Sequence, residues 1–221
     1  MAIKGLIFDM DGLLIDTESV SFKALVKDCA QRGFEFTMEQ FLGIRSLSLP
    51  KCEEKFKSYF GEDFDFYDCF RNRTRYLGEY IDMYGAPMKK GADNILRFAK
   101  EQGLRIALAT STPLDIAKNW LVSLGLWDYF DEVISAADVK HGKPAPDVYL
   151  AASELLGLDP MVCMAFEDSP NGVRSASSAG CMTVMVPDLS GPDEELQKLI
   201  FACVDDLDEA ITLIKENKDK E

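Results

Sequence analysis

Short apolar runs alternate with helical periods along most of this chain. A short apolar run bounded by turn residues is typical of a buried strand, whereas apolar residues spaced three and four apart indicate an amphipathic helix. The predicted strands are Ile3–Phe8, Leu104–Thr110, Glu132–Ser135, Val162–Phe166 and Met182–Val186. The predicted helices that follow them span about 91–102, 113–124, 146–156, 170–179, 193–201 and 207–217.

This alternation predicts the fold class. Strands that alternate with helices of this length need right-handed crossovers, which produce a parallel sheet with helices on both faces. Glycines at the ends of predicted helices, among them Gly103, Gly125 and Gly180, agree with the proposed boundaries. We therefore expect a Rossmann-like α/β catalytic core built from residues 1–16 and 87–221.

Residues 17–86 have a different pattern, because they are rich in Phe, Tyr and charge and contain no clear strand. The helices predicted there are Ser19–Arg32, Met38–Leu42, Pro50–Phe60 and Phe64–Tyr84. The segment leaves and rejoins the core after the first strand. We expect a small all-helical cap that acts as a lid, excluding water and reading the substrate. An ordinary helical layer packed on the sheet is the alternative.

Composition narrows the possible partners. A chain of 221 residues with 47% hydrophobic residues is sufficient for one large domain with a smaller insert. The net charge of −14 argues against non-specific binding to nucleic acid or to an anionic membrane surface. There is no apolar run of membrane-spanning length and no secretory signal pattern. We expect a cytoplasmic protein without nucleic-acid or membrane partners, either a monomer or a weak homo-oligomer.

Six scattered cysteines show no C-x-x-C spacing. Zinc sites and small disulfide frameworks need regular cysteine spacings, which this chain lacks. The cysteines are therefore expected to be reduced thiols, as in a cytosolic protein.

An acidic tetrad, Asp9-Met10-Asp11-Gly12, follows the first predicted strand directly. Two carboxylates two residues apart on an extended chain lie on the same face. They stand at the carboxyl end of the strand, which is where ligands bind in open α/β sheets. Crowded carboxylates repel each other unless a cation neutralises them or one carries a proton. The pattern indicates a catalytic site, with a solvated acidic loop as the alternative.

Polar motifs also follow other predicted strands. Thr110 and Ser111 precede a helix, where they form either an anion site or a simple helix cap. Lys143 lies between Gly142 and Pro144, which suits a fixed point charge for a phosphate, although a lone loop lysine is usually solvated. Glu167 and Asp168 supply the oxygen ligands that Mg²⁺ prefers, or alternatively an acidic helix N-terminus.

These four motifs, in this order, resemble the haloacid dehalogenase superfamily of phosphatases and phosphomutases, over essentially the whole chain. The run from Asp9 to Glu18, followed by the helical segment, is similar to the subgroup with a small helical cap. That subgroup contains β-phosphoglucomutase and many small-molecule phosphatases. Dehalogenases of the family lack an acid at the position of Asp11, so the resemblance implies phosphate chemistry.

The resemblance also implies roles for individual residues. Asp9 would be the nucleophile that forms an aspartyl-phosphate, and Asp11 would protonate the leaving group and then activate water. The phosphoryl oxygens would be held by Thr110, Ser111 and Lys143. Mg²⁺ would be bound by Asp9, the backbone carbonyl of Asp11, Asp168 and, directly or through water, Glu167.

The function implied is a Mg²⁺-dependent phosphatase of a small phosphorylated metabolite, such as a sugar phosphate. One alternative is a mutase of the β-phosphoglucomutase type. That enzyme carries a histidine in the first cap helix, shortly after its Asp-Thr, whereas residues 16–22 here contain none. A second alternative is a signalling receiver phosphorylated on aspartate. Receivers accept the phosphoryl group at the end of a middle strand and have no acid two residues further on.

Overall fold

The computed structural model describes residues 2–45, 47, 49–189 and 191–218. The chain divides into two compact units. The core unit consists of Met1–Ile15 and Met88–Glu221, and the helical unit consists of Asp16–Pro87.

The core unit is built on a six-stranded sheet in which all neighbouring strands are parallel. The strands are β1 (Gly5–Phe8), β2 (Arg105–Thr110), β3 (Glu132–Ser135), β4 (Cys163–Glu167), β5 (Met182–Met185) and β6 (Ala202–Cys203). Their order is β3-β2-β1-β4-β5-β6, so the first strand lies between β2 and β4. The α/β fold class predicted from the sequence is confirmed.

The central strand β1 is buried along its whole length. A parallel strand covered by helices on both faces loses the alternation of polar and apolar residues, which explains its continuous apolar sequence. Phe8 stacks on Phe166 of β4 with a ring-centroid distance of 4.9 Å. The two rings lie opposite each other in the β1–β4 register. This packing fixes the relative position of the two strand ends.

The helices of the core unit begin and end close to the predicted positions. They are α5 (Ala92–Glu101), α6 (Leu114–Ser123), α7 (Asp147–Leu155), α8 (Pro170–Ser178) and α9 (Leu207–Asn217). Helix α8 illustrates how they start. The Ser169 side chain accepts a hydrogen bond from the Gly172 amide, and Pro170 occupies the first helical position.

The helix predicted over 193–201 is wrong. This stretch contains one 3₁₀ turn, Leu196–Lys198, followed by the short strand β6 that the sequence did not indicate. The Phe201 amide donates to the Thr183 carbonyl oxygen at 2.7 Å. The chain must therefore return to the sheet edge before a regular helix can continue. A strand of two residues is also too short to carry a periodic signal.

The helical unit contains α1 (Thr17–Gln31), α2 (Met38–Leu42), α3 (Leu49–Phe60) and α4 (Phe66–Tyr84). Its interior is aromatic: Phe56 packs against Phe36 and Phe66 with ring-centroid distances of 5.3 and 5.2 Å. Arg32 bridges Asp28 and Asp68 and so links α1 to α4. The proposed role of this unit as a substrate-reading lid stays a prediction.

Two expectations from composition bear on the described residues. Within those ranges, no helix has both the length and the apolar character that a bilayer crossing requires. All six cysteines are free thiols, and five of them are buried.

We predict that Gly91→Ala destabilises the core unit more than Gly103→Ala does. Both glycines have positive φ, 84° and 68°, so each alanine meets backbone strain of about 1 kcal/mol or more. Only at Gly91 would the new Cβ lie 2.4 Å from the Asp208 amide nitrogen, since nothing lies within 4 Å at Gly103. We expect Gly91→Ala to lower the free energy of unfolding by about 2–4 kcal/mol in urea titrations. Equal losses in the two variants would contradict the steric argument.

Candidate active site

The carboxyl ends of β1, β2 and β4 meet at one edge of the sheet. In the strand register, Phe8 lies opposite both Leu108 and Phe166. The residues that follow these positions, Asp9, Thr110 and Glu167, are all buried. Adjacent parallel strands therefore bring three of the four predicted motifs together.

Lys143 joins this edge from the loop that precedes α7. Its ammonium group lies 2.5 Å from Asp9 Oδ1 and 2.6 Å from Glu167 Oε1, and it donates to the Ala109 carbonyl oxygen at 3.0 Å. An ammonium group has three hydrogens, so all of its donors have partners. The side chain is only 7% exposed. Lys143 is therefore a fixed internal charge and not a solvated loop lysine.

Asp9, Glu167 and Asp168 form a buried carboxylate triad. One oxygen from each of them lies within 4.8 Å of the other two. Lys143 supplies a positive charge to two of these carboxylates, Asp9 and Glu167. Closely spaced carboxylate oxygens fit a small hard cation such as Mg²⁺. The predicted contribution of the Asp11 backbone carbonyl stays a prediction.

Burial is the main cause that raises the pKa of Asp9, to about 7; Lys143 opposes this rise, and the carboxylates of Glu167 and Asp11 contribute to it. Burial disfavours the charged form of Lys143, but the carboxylates of Asp9 and Glu167 outweigh it and hold its pKa above the ordinary value. A bound cation would favour the ionised form of Asp9.

Glu167 is held by residues that the sequence did not single out. The Tyr149 hydroxyl donates to Glu167 Oε1 at 2.6 Å, and the Ser169 hydroxyl lies 3.2 Å from Oε2. Tyr149 is fully buried, and burial followed by the charge of Glu167 raises the pKa of its phenol well above the ordinary value. Tyr149 looks like an ordinary core aromatic in the sequence, so its role is visible only from the tertiary contact.

Gly12 and Gly172 make room for the acidic side chains. Gly12 has φ of 82°, and a Cβ there would lie 2.3 Å from Asp168 Oδ2. In α8, a Cβ on Gly172 would lie 1.9 Å from the Glu167 carboxyl carbon. Both glycines are therefore required by close approach of a carboxylate, although only Gly12 also has the left-handed backbone that favours glycine.

The remaining predicted residues lie at the end of β2, in the loop that follows it, and after β1. Thr110 is buried, and its Oγ1 accepts a hydrogen bond from the Thr112 amide at 3.0 Å. This contact uses a lone pair and leaves the hydroxyl hydrogen of Thr110 available as a donor. Ser111 is exposed on the same loop. Asp11 is partly exposed, and its Oδ2 accepts a hydrogen bond from the Thr112 hydroxyl at 2.7 Å.

Known proteins are similar to this chain in sequence and in fold. A family model described as haloacid dehalogenase-like hydrolase matches residues 3–180. A phosphorylated carbohydrates phosphatase of Thermotoga maritima is 35% identical over 80% of this chain and 82% of its own. Hexitol phosphatase B of Escherichia coli strain K12 is 31% identical over 82% of each chain. A solved Thermotoga maritima structure, provisionally named β-phosphoglucomutase, has a TM-score of 0.79 and 28% identity, covering 97% of this chain and 99% of its own.

We predict that Gly172→Ala destabilises the protein by overpacking against Glu167. The clash should lower the free energy of unfolding by about 1–3 kcal/mol in urea titrations. Gly78 in α4 is the matched control, because a Cβ there meets nothing within 4 Å. Gly78→Ala should instead raise the free energy of unfolding by up to about 1 kcal/mol through helix propensity.

The same prediction can be tested by a double-mutant cycle. Glu167→Ala removes the atoms that the new methyl group would strike, so the two changes together should cost less than the sum of their separate effects. Strictly additive losses would show that the clash with Glu167 is not the cause.

Proposed function

Because the chain belongs to the haloacid dehalogenase-like hydrolase family, we propose that it hydrolyses small phosphate monoesters, such as sugar phosphates, with Mg²⁺ and through an aspartyl-phosphate. The family resemblance read from the motifs is confirmed, and the chain is an enzyme, a phosphoric monoester hydrolase. The observation that carries the finer proposal is the buried Asp9 carboxylate, held 2.5 Å from the Lys143 ammonium and beside two further acids. Phosphoryl transfer depends mainly on positioning and charge neutralisation, which such a site supplies.

The first step forms the aspartyl-phosphate. A carboxylate oxygen of Asp9 attacks phosphorus, and the bond from phosphorus to the ester oxygen breaks. Asp11 gives its proton to the departing oxygen, which leaves as an alcohol. Burial of Asp9 keeps water away from this oxygen before the substrate arrives and strengthens the surrounding electrostatic interactions.

The second step releases inorganic phosphate. Asp11, now ionised, takes a proton from a water molecule whose oxygen attacks phosphorus. The bond from phosphorus to the Asp9 oxygen breaks and restores the Asp9 carboxylate. The proton acquired by Asp11 prepares it for the next substrate, so the cycle closes without any other reactant.

The phosphoryl oxygens would be held by Lys143, Thr110 and Ser111. Lys143, whose three donors have protein partners, would act through its fixed positive charge, and the Thr110 hydroxyl retains its hydrogen for donation. Ser111 is exposed beside them and contributes its hydroxyl and backbone N–H. Together they would neutralise the charge that spreads over the transferring group.

Mg²⁺ would be held by Asp9, Asp168, Glu167 and the backbone carbonyl of Asp11. When bound, it would offset the negative charge shared by the nucleophile and the phosphoryl group. The buried triad supports this choice because its donors are all oxygens and lie close together. Asp9, Glu167 and Asp168 bring these oxygens from the ends of β1 and β4.

The mutase alternative has one observation in its favour, the similarity to the solved structure provisionally named β-phosphoglucomutase. A mutase must protect its phosphoryl-aspartate from water while the bound intermediate reorients in the site. The only histidine of this chain, His141, lies in the core unit with its ring 3.1 Å from Asp147, so α1 has no histidine for that task. We therefore favour the phosphatase.

Phosphate release from a panel of monoesters tests the proposal directly. The panel should contain hexose and hexitol phosphates, nucleotides and a chromogenic aryl phosphate, each with Mg²⁺ and with chelator. We expect Mg²⁺-dependent release that is strongest for one group of related sugar phosphates. Absence of release from every compound would reject the phosphatase, and conversion of β-glucose 1-phosphate with a bisphosphate activator would then establish the mutase.

We predict that Asp9→Asn lowers kcat by at least about 1,000-fold, because an amide cannot attack phosphorus. Asp128→Asn, at an exposed position of the core unit, is the matched control and should retain wild-type kcat. Circular dichroism should show that both variants remain folded. A folded Asp9→Asn enzyme with wild-type turnover would overturn the assignment of the nucleophile.

A further inference from the structure

We propose that Thr112 is a positioning residue that orients the carboxyl group of Asp11 for proton transfer. This inference rests on the proposed function, in which Asp11 serves first as the acid and then as the base. Thr112 follows the anion-binding loop directly, but the motifs assign it no role. Its contribution is visible only from the contacts of the folded chain.

The direct contact joins the Thr112 hydroxyl to Asp11. Thr112 Oγ1 donates to Asp11 Oδ2 at 2.7 Å, a short hydrogen bond to a carboxylate. The interaction occupies Oδ2 and leaves Oδ1 of Asp11 to exchange a proton with the ester oxygen and later with water. A carboxyl group held by one oxygen cannot turn freely about its side-chain torsions.

Thr112 is itself fixed at both of its backbone groups. Its amide donates to Thr110 Oγ1 at 3.0 Å, and its carbonyl oxygen accepts a hydrogen bond from the Ser135 hydroxyl at 3.0 Å. Ser135 ends strand β3 and is 1% exposed. The result is a chain of hydrogen bonds that runs from the rigid sheet through Thr112 to Asp11.

This arrangement places a preorganised support behind the proposed acid and base. A positioned general acid contributes about 10²–10⁴-fold to rate, and small displacements of such a group can remove much of that gain. In the first step the benefit depends on the leaving group, whereas the second step is the same for every ester. An alkoxide needs a proton as it departs, whereas a nitrophenolate is stable as an anion and needs little help.

The test compares two substrates in three enzymes. Thr112→Val removes the hydroxyl with almost no change in shape, and Thr112→Ser keeps it. We expect Thr112→Val to lower kcat/KM at least about 10-fold for the best alkyl phosphate, with a change of less than about 3-fold in kcat/KM for 4-nitrophenyl phosphate, because kcat/KM covers only the steps up to departure of the leaving group. Thr112→Ser should restore most of the alkyl phosphate activity. Thr212→Val, at an exposed position of α9, is the matched control and should behave as wild type.

Equal losses of kcat/KM on both substrates would overturn the proposal, because they would indicate a general structural defect. Unchanged activity of Thr112→Val on the alkyl phosphate would overturn it as well. Absence of Mg²⁺-dependent release by the wild-type enzyme from either substrate would instead reject the proposed function.

A crystal structure of Thr112→Val tests the positioning role even if the wild-type enzyme releases no phosphate. We expect the Asp11 side chain to leave the position it has beside Thr112 or to occupy several conformations. An Asp11 carboxyl group that stays in the wild-type position would overturn the positioning role, whatever the substrate of the enzyme is.

Discussion

The candidate site depends on one buried electrostatic interaction, the ammonium group of Lys143 between the carboxylates of Asp9 and Glu167. A charge removed from water is tolerated only if partners compensate it at short distance. The three side chains come from the end of β1, the loop before α7 and the end of β4. Loss of Lys143 would leave both carboxylates in the interior without this compensation. The same interaction therefore organises the site and ties separate parts of the core unit together.

Burial is the main cause that raises the pKa of Asp9 to about 7, against the charge of Lys143 and together with the carboxylates of Glu167 and Asp11. A protein interior selected only for stability would favour an apolar replacement of such buried charges. Closely spaced, buried carboxylate oxygens suit a site that takes up a divalent cation. Tyr149, Ser169 and Gly172 hold Glu167 in place, so that its carboxylate stays close to the other two.

The sequence predicted most of the core and the location of the motif residues, because continuous apolar runs and acidic or glycine-rich turns are local signals. It could not predict Tyr149 or Thr112, since a buried tyrosine and a threonine before a helix have many ordinary explanations. Their partners, Glu167 and Asp11, lie 18 and 101 residues away along the chain and come close only in the folded core. The incorrect prediction of a helix over 193–201 has a similar origin. The apolar residues of this segment have helical spacing, but pairing of the chain with β5 ends the segment early.

The strand order has a consequence for the folding of this protein during its synthesis on the ribosome. Strand β1 is synthesised first, yet Gly5 pairs with Arg105 on one side and with Cys163 on the other. One of its hydrogen-bonding edges therefore stays open until β2 has been made and the other until β4 has been made, and open apolar edges invite association with other chains. The helical unit is formed by one continuous segment, Asp16–Pro87, and needs no such wait. The helical unit can thus fold before β2 is made, while the strand that precedes Asp9 gains both of its neighbours only once β4 has been made.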